Sequence, residues 1–229
     1  MAALAAESRP LGAAGPGPER NALTTLADGT LLVVSGMGVT AAARGARQLV
    51  EAGARSLLSW GMAGGLDPAL RAGALFLPGE VIAADGTVYA SSREWRLALA
   101  AAVASRNPVT DGRLLTSEEA IRSVADKAAT FRRTGAAAVD METGAIAEVA
   151  RAAALPFVAV RAIVDTAEDQ LPRAAIAATG SGEVRISPLL AALVRSPGDL
   201  PALIRLARRY RAASRSLVAA ARAGALAPP

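Results

Sequence analysis

The stretch Ala136–Asp169, AAAVDMETGAIAEVARAAALPFVAVRAIVDTAED, constrains the fold more than any other part of the chain. A short apolar run, Ala136–Val139, stops at Asp140-Met141-Glu142. Apolar residues then recur at helical spacing, at Ile146, Val149, Ala150 and Ala153, until Pro156. That order predicts a strand feeding a helix. Phe157–Val164 is a β-branched run suited to a strand buried on both faces, and it ends on Asp165. In open α/β sheets ligands bind beyond the carboxyl ends of strands, so Glu142 and Asp165 are expected at one rim. Two acids there suit acid–base chemistry on a polar small molecule. The same residues also have a purely structural explanation, because an Asp at a strand end caps the next helix and a Glu in a first turn complements the macrodipole.

Composition narrows the chemistry. The chain holds neither cysteine nor histidine. Disulfides, a Cys nucleophile, a Ser-His triad and a His-based metal site are therefore excluded, and catalysis must rest on carboxylates, Arg, hydroxyls and backbone groups, with no cofactor expected. The net charge is +5 and the pI near 10.8, yet the arginines are scattered among Ala, Gly and Pro, and Lys127 is the only lysine. This reads as compositional bias rather than a nucleic-acid surface. No apolar run approaches the roughly 18 residues of a membrane span, and Glu7 and Arg9 arrive too early for a signal peptide, so a soluble cytoplasmic protein is expected. At 229 residues, a single domain over 1–229 is the default.

Along the chain, Pro10 to Pro18 is loop-like. Thr30–Ser35 predicts a strand that Gly36-Met37-Gly38 turns into a helix over Thr40–Ala52. GMGVTA fits a dinucleotide fingerprint, which offers an NAD-dependent oxidoreductase as a rival function. The second strand, Ser56–Trp60, however, ends in Gly61 where that fold places an acid. Trp60–Leu66 reads as a glycine-rich turn. Two strands are expected around Asp85-Gly86, a helix over Trp95–Ala104, a strand at Leu114–Thr116, and a helix start at Ser117. Leu171–Arg185 reads as loop. Ser187-Pro188 opens a helix, and Asp199-Leu200-Pro201 caps another running to about Ala223 with an apolar stripe of Leu203, Leu206, Tyr210 and Leu217.

VDMETGAIAEVA followed by VRAIVDTAED resembles the nucleoside phosphorylase and methylthioadenosine/S-adenosylhomocysteine nucleosidase family, whose members carry V-E-M-E-x-x-A-I-A-x-V and V-R-A-I-S-D-x-A-D. Within it the chain is most similar to the hopanoid-associated, adenosylhopane-cleaving group. The resemblance implies a three-layer α/β/α sandwich with a central mixed sheet, a homodimer, and release of adenine from an adenine nucleoside with water or phosphate as co-substrate. It implies that Asp165 protonates the purine, Glu142 binds the ribose hydroxyls and Met141 packs on the ribose. Glu7, in ALAAES, would activate the water. Gly36 and Gly38 would shape the ribose pocket, and Asp140, Met62, Gly64, Val164 and Arg161 would complete the substrate site. Asp165→Asn is expected to remove most base release and leave the fold intact. Three residues depart from the pattern: Met62 and Val164 stand where hydroxyls are usual, and Ala120 where an aromatic ring would stack on the base. These departures keep a non-catalytic nucleoside-binding protein open as a further alternative. A lipid nucleoside as substrate would also make peripheral membrane contact through the arginine-rich final helix a possibility.

Overall fold

The computed structural model describes residues 11, 19–104, 108–171, 200–223, 226, 228 and 229, with the side chains of 200–203 excepted. Expectations that fall on the other residues, including Glu7, Arg9 and the helix at Ser187-Pro188, lie outside the described residues. Fifteen elements are described: β1 (Leu23–Thr25), β2 (Leu31–Val33), α1 (Val39–Glu51), β3 (Leu57–Gly65), β4 (Leu75–Phe76), β5 (Glu80–Ile82), β6 (Val88–Ala90), α2 (Arg93–Val103), β7 (Val109–Thr110), β8 (Arg113–Thr116), α3 (Val124–Thr134), β9 (Ala136–Asp140), α4 (Thr143–Ala152), β10 (Phe157–Asp165) and α5 (Leu200–Arg222).

Eight strands form one mixed sheet in the order β6-β5-β8-β9-β3-β10-β4-β7. At its centre β10 runs parallel to β3 over nearly its whole length, from Phe157 beside Leu57 to Ile163 beside Ala63. Alternation along β10 supplies both cores. Phe157, Ala159 and Ile163 pack with Leu49, Ile146 and Val149 beneath α1 and α4. Val158, Val160 and Ala162 pack with Trp95, Leu99, Ala213 and Leu217 beneath α2 and α5. Helices on both faces of a mixed sheet make the expected α/β/α sandwich. The α1 helix can press closely on α4 because its inner face is small: Ala41, Ala42, Gly45, Ala46 and Leu49 recur at three- and four-residue spacing.

Two expectations are corrected. The segment Gly61–Gly65 is not a turn but the second half of β3, since its amides pair with β10 and β9. Ser117 opens no helix. Its N–H donates to the Asp140 carbonyl (2.8 Å) and its hydroxyl to the Glu119 carbonyl (2.7 Å), and α3 starts seven residues later, where Ser123 accepts from the Asp126 N–H at 3.0 Å. The two strands of the central stretch, β9 and β10, are separated by β3, to which β9 runs antiparallel. No described helix is long and apolar enough to cross a membrane.

Candidate active site

Two clusters of polar side chains meet the sheet on either side of Gly64. The register explains why. Gly64 has Val139 of β9 as its neighbour on one side and Asp165 of β10 on the other. Asp165 and the Asp140-Met141-Glu142 segment therefore approach Gly64 from adjacent strands. Strand register accounts for their proximity.

The first cluster is a buried frame around Asp140 and Arg161. Arg161 is 3% exposed. Its Nε donates to Asp140 Oδ2 (2.9 Å), its Nη2 to Ser59 Oγ (2.7 Å) and Thr143 Oγ1 (2.6 Å), and its Nη1 to the Val160 carbonyl (3.3 Å). Asp140 also accepts from Thr116 Oγ1 (2.9 Å), from the Thr143 hydroxyl and from the Thr143 N–H. Both residues, expected on the substrate, are engaged with the protein. Together they tie β8, β9, β10 and α4 into one block, which fixes where Glu142 emerges.

Glu142, the residue before α4, is buried. Gly38 N–H donates to its Oε1 at 2.8 Å and Met141 N–H to its Oε2 at 3.3 Å. Gly38 adopts φ +94°, a backbone that a side chain resists, and it opens α1. The helix N-terminus that a dinucleotide would need for its pyrophosphate is thus directed at a carboxylate of this chain. Moreover, β2 pairs with β1 and not with the large sheet among the described residues. Both observations argue against the dinucleotide reading. Gly36, at φ +84°, has the Arg20 side chain lying where a Cβ would project.

The second cluster surrounds Asp165. A register shift between Ile163 and Asp165 takes it out of the alternation that Arg161 and Ile163 follow. The shift lays its carboxylate on Gly64, where an added Cβ would stand 3.2 Å from each oxygen. Lys127 of α3, fully buried, donates to Asp165 Oδ2 and, at 2.7 Å, to the Thr166 carbonyl. Arg209 of α5 pairs with Asp169, whose Oδ2 also accepts from the Thr166 N–H at 2.8 Å. Burial pushes the Asp165 carboxyl above the usual carboxylate range, against the opposing pull of Lys127 and, more weakly, of Arg209. Such a carboxyl takes up a proton more readily than an exposed one.

Met62 and Val164 pack against the core beneath α2 and α5, as does Trp60, so their side chains serve packing. Ala120 lies in the irregular stretch between β8 and α3. Lys127 carried no local sequence signal of burial. Its one mark was to be a lone lysine in an arginine-rich chain.

The sequence model described as the phosphorylase superfamily matches residues 2–195. Solved structures share the fold. One is assigned as a methylthioadenosine nucleosidase of Weissella paramesenteroides, with 25% identity over 73% of this chain and 88% of that one and a TM-score of 0.62. The 5′-methylthioadenosine/S-adenosylhomocysteine nucleosidase of Neisseria meningitidis, bound to methylthio-immucillin-A, has 21% identity over 96% and 95% and a TM-score of 0.67. A futalosine hydrolase variant of Helicobacter pylori has 17% identity over 71% and 86% and a TM-score of 0.61.

Proposed function

The chain belongs to the phosphorylase superfamily, and from that premise we propose that it is a nucleosidase cleaving the N-glycosidic bond of an adenine nucleoside, with adenine as leaving group. The observation that carries the reading is Asp165, a buried carboxyl shifted toward its protonated form and seated on a glycine that leaves room beside it. Breaking a purine N-glycosidic bond leaves a purine anion and an oxocarbenium-like sugar, so a proton must reach the base as the bond breaks. Asp165 supplies it, at N7. Glu142, fixed by Gly38 and Met141, accepts the ribose hydroxyls, and its negative charge favours the cationic sugar. Met141, half-buried beside it, packs on the ribose. Glu7 is proposed to activate the nucleophile on the strength of its sequence motif alone.

Water is the proposed nucleophile. Phosphate needs convergent Arg and hydroxyl groups, and here Ser59 and Arg161 are bonded to each other and to the Asp140 frame while Met62 is in the core. Arg44 is exposed on α1. Arg20, whose guanidinium lies against Gly36, is the cation a phosphate site would recruit, so phosphorolysis remains the second reading. The substrate we propose carries an apolar 5′ substituent, as adenosylhopane does, and the active form is a homodimer in the cytoplasm. Incubation with a panel of 5′-substituted adenosines in phosphate-free buffer tests the reading. Adenine and a free sugar are expected; a strict phosphate requirement with a sugar 1-phosphate product selects phosphorolysis, and no adenine from any nucleoside ends the catalytic reading.

A further inference from the structure

Lys127 is the only lysine among 25 basic residues, and it is 0% exposed. A lysine normally keeps its ammonium in water, and burying one without compensation is costly. Here the helix delivers it deliberately. Ser123 caps α3, its carbonyl accepts the Lys127 N–H at 3.0 Å, and the side chain reaches the Asp165 carboxylate and the Thr166 carbonyl. The second contact fixes the direction of the amine without adding a second counter-ion. Among the described residues, Arg209 of α5 is held by Asp169, and Arg161 of β10 by Asp140 of β9. Glu142, before α4, is held by Gly38. Arginine cannot release its proton in a protein, whereas a buried lysine can.

Resting on the reading of Asp165 as the acid, we propose that Lys127 is the proton reservoir behind it, holding the pair's transferable proton and yielding it to Asp165 as the leaving base takes one up. The proton moves from Nζ to the carboxylate, giving neutral amine and carboxylic acid. As the C1′–N9 bond breaks, its electron pair goes to the purine and the Asp165 proton to N7, leaving amine and carboxylate. Water adding to C1′ sheds one proton, and the pair regains one from solvent, so no proton is gained or lost overall. Lys127 never touches the base; it acts through Asp165.

If Lys127 supplies the proton, the basic limb of kcat/KM belongs to the pair and not to a carboxyl alone. Measured between about pH 5 and pH 10, wild-type adenine release is expected to persist above the carboxyl range. In Lys127→Met the basic limb is expected to move to lower pH, with activity kept near the acidic end. Lys127→Arg, which keeps the charge but not the transferable proton, is expected to lose about tenfold or more across the range. A Met variant with the wild-type limb, or an Arg variant with the wild-type profile, makes Lys127 a counter-ion only and overturns the proposal. Should the variants fail to fold, the wild-type profile decides, since a basic limb in the carboxyl range overturns it as well. Asp165→Asn releasing adenine at the wild-type rate sinks the acid reading itself and not merely its reservoir.

Discussion

Asp165 shows how much a single neighbour changes what a substitution does. From sequence alone Asp165→Asn looks silent for stability, because an amide is nearly the same shape. The structure places a buried ammonium against that carboxylate. Removing one partner of a buried pair typically costs about 3–5 kcal/mol, since the other charge is left uncompensated. Asp165→Asn is therefore expected to lower base release by roughly 10²–10⁴-fold and to lower the urea midpoint as well. Adding Lys127→Met should recover most of the stability and none of the activity. A single variant as stable as the parent would mean that the Asp165–Lys127 pair adds nothing to stability. The acids at 140, 142 and 165 were legible in the sequence because the motif spells them out. That protein partners enclose Asp140 was not. Nothing local tells Asp140, which Arg161 and Thr143 enclose, from Glu142, which Gly38 holds.

At the scale of elements, strands and helices inside Phe157–Asp165 and Thr143–Ala152 could be read directly, since unbroken β-branched and three-to-four spacing leave few alternatives. Glycines misled. Gly61, Gly64 and Gly65 suggested a turn, yet they extend β3, and the reason is space rather than backbone freedom. An added Cβ at Gly64 meets both Asp165 oxygens at 3.2 Å, so Gly64→Ala is expected to displace the carboxylate and lower kcat by about tenfold. Unchanged kcat in a folded Gly64→Ala protein would detach that carboxylate from the chemistry. Gly144 makes the purely structural comparison. On α4, its Cβ would lie 2.9 Å from the Ala83 backbone and 3.1 Å from Thr116. Gly144→Ala should cost about 1–3 kcal/mol by denaturant titration through overpacking. The helix start misassigned to Ser117 has a similar lesson: Ser117 and Ser123 are both plausible caps by composition, and a sheet bond to Asp140 claims the first. Ser123→Ala should cost about 0.5–2 kcal/mol and loosen the helix that carries Lys127.

For the whole molecule, the order of the sheet was not legible, because β9 and β10 are separated by a strand from 70 residues earlier and only tertiary pairing reveals it. The charge was legible, and the structure shows where part of it sits. The sequence of α5 contains no acidic residue, and Arg205, Arg208, Arg211 and Arg215 are exposed on it. Leu206 and Tyr210, expected in its apolar stripe, are half-buried, and the face that packs on the sheet is Ala213, Leu217 and Ala220. That face is unavailable to a lipid bilayer, so contact with a membrane would rest mainly on charge, with Ile204 the large apolar side chain that α5 exposes among the described residues. Each Arg near an anionic surface contributes about 1 kcal/mol, and four give about 4 kcal/mol, an affinity near millimolar. Stable anchoring takes a second, apolar signal. The protein is therefore expected to float with anionic vesicles at low ionic strength and to be released at physiological salt, where the Debye length shrinks to about 8 Å. Retention at physiological salt would require an apolar contact beyond these four arginines, and would favour capture of a lipid nucleoside directly from the membrane surface.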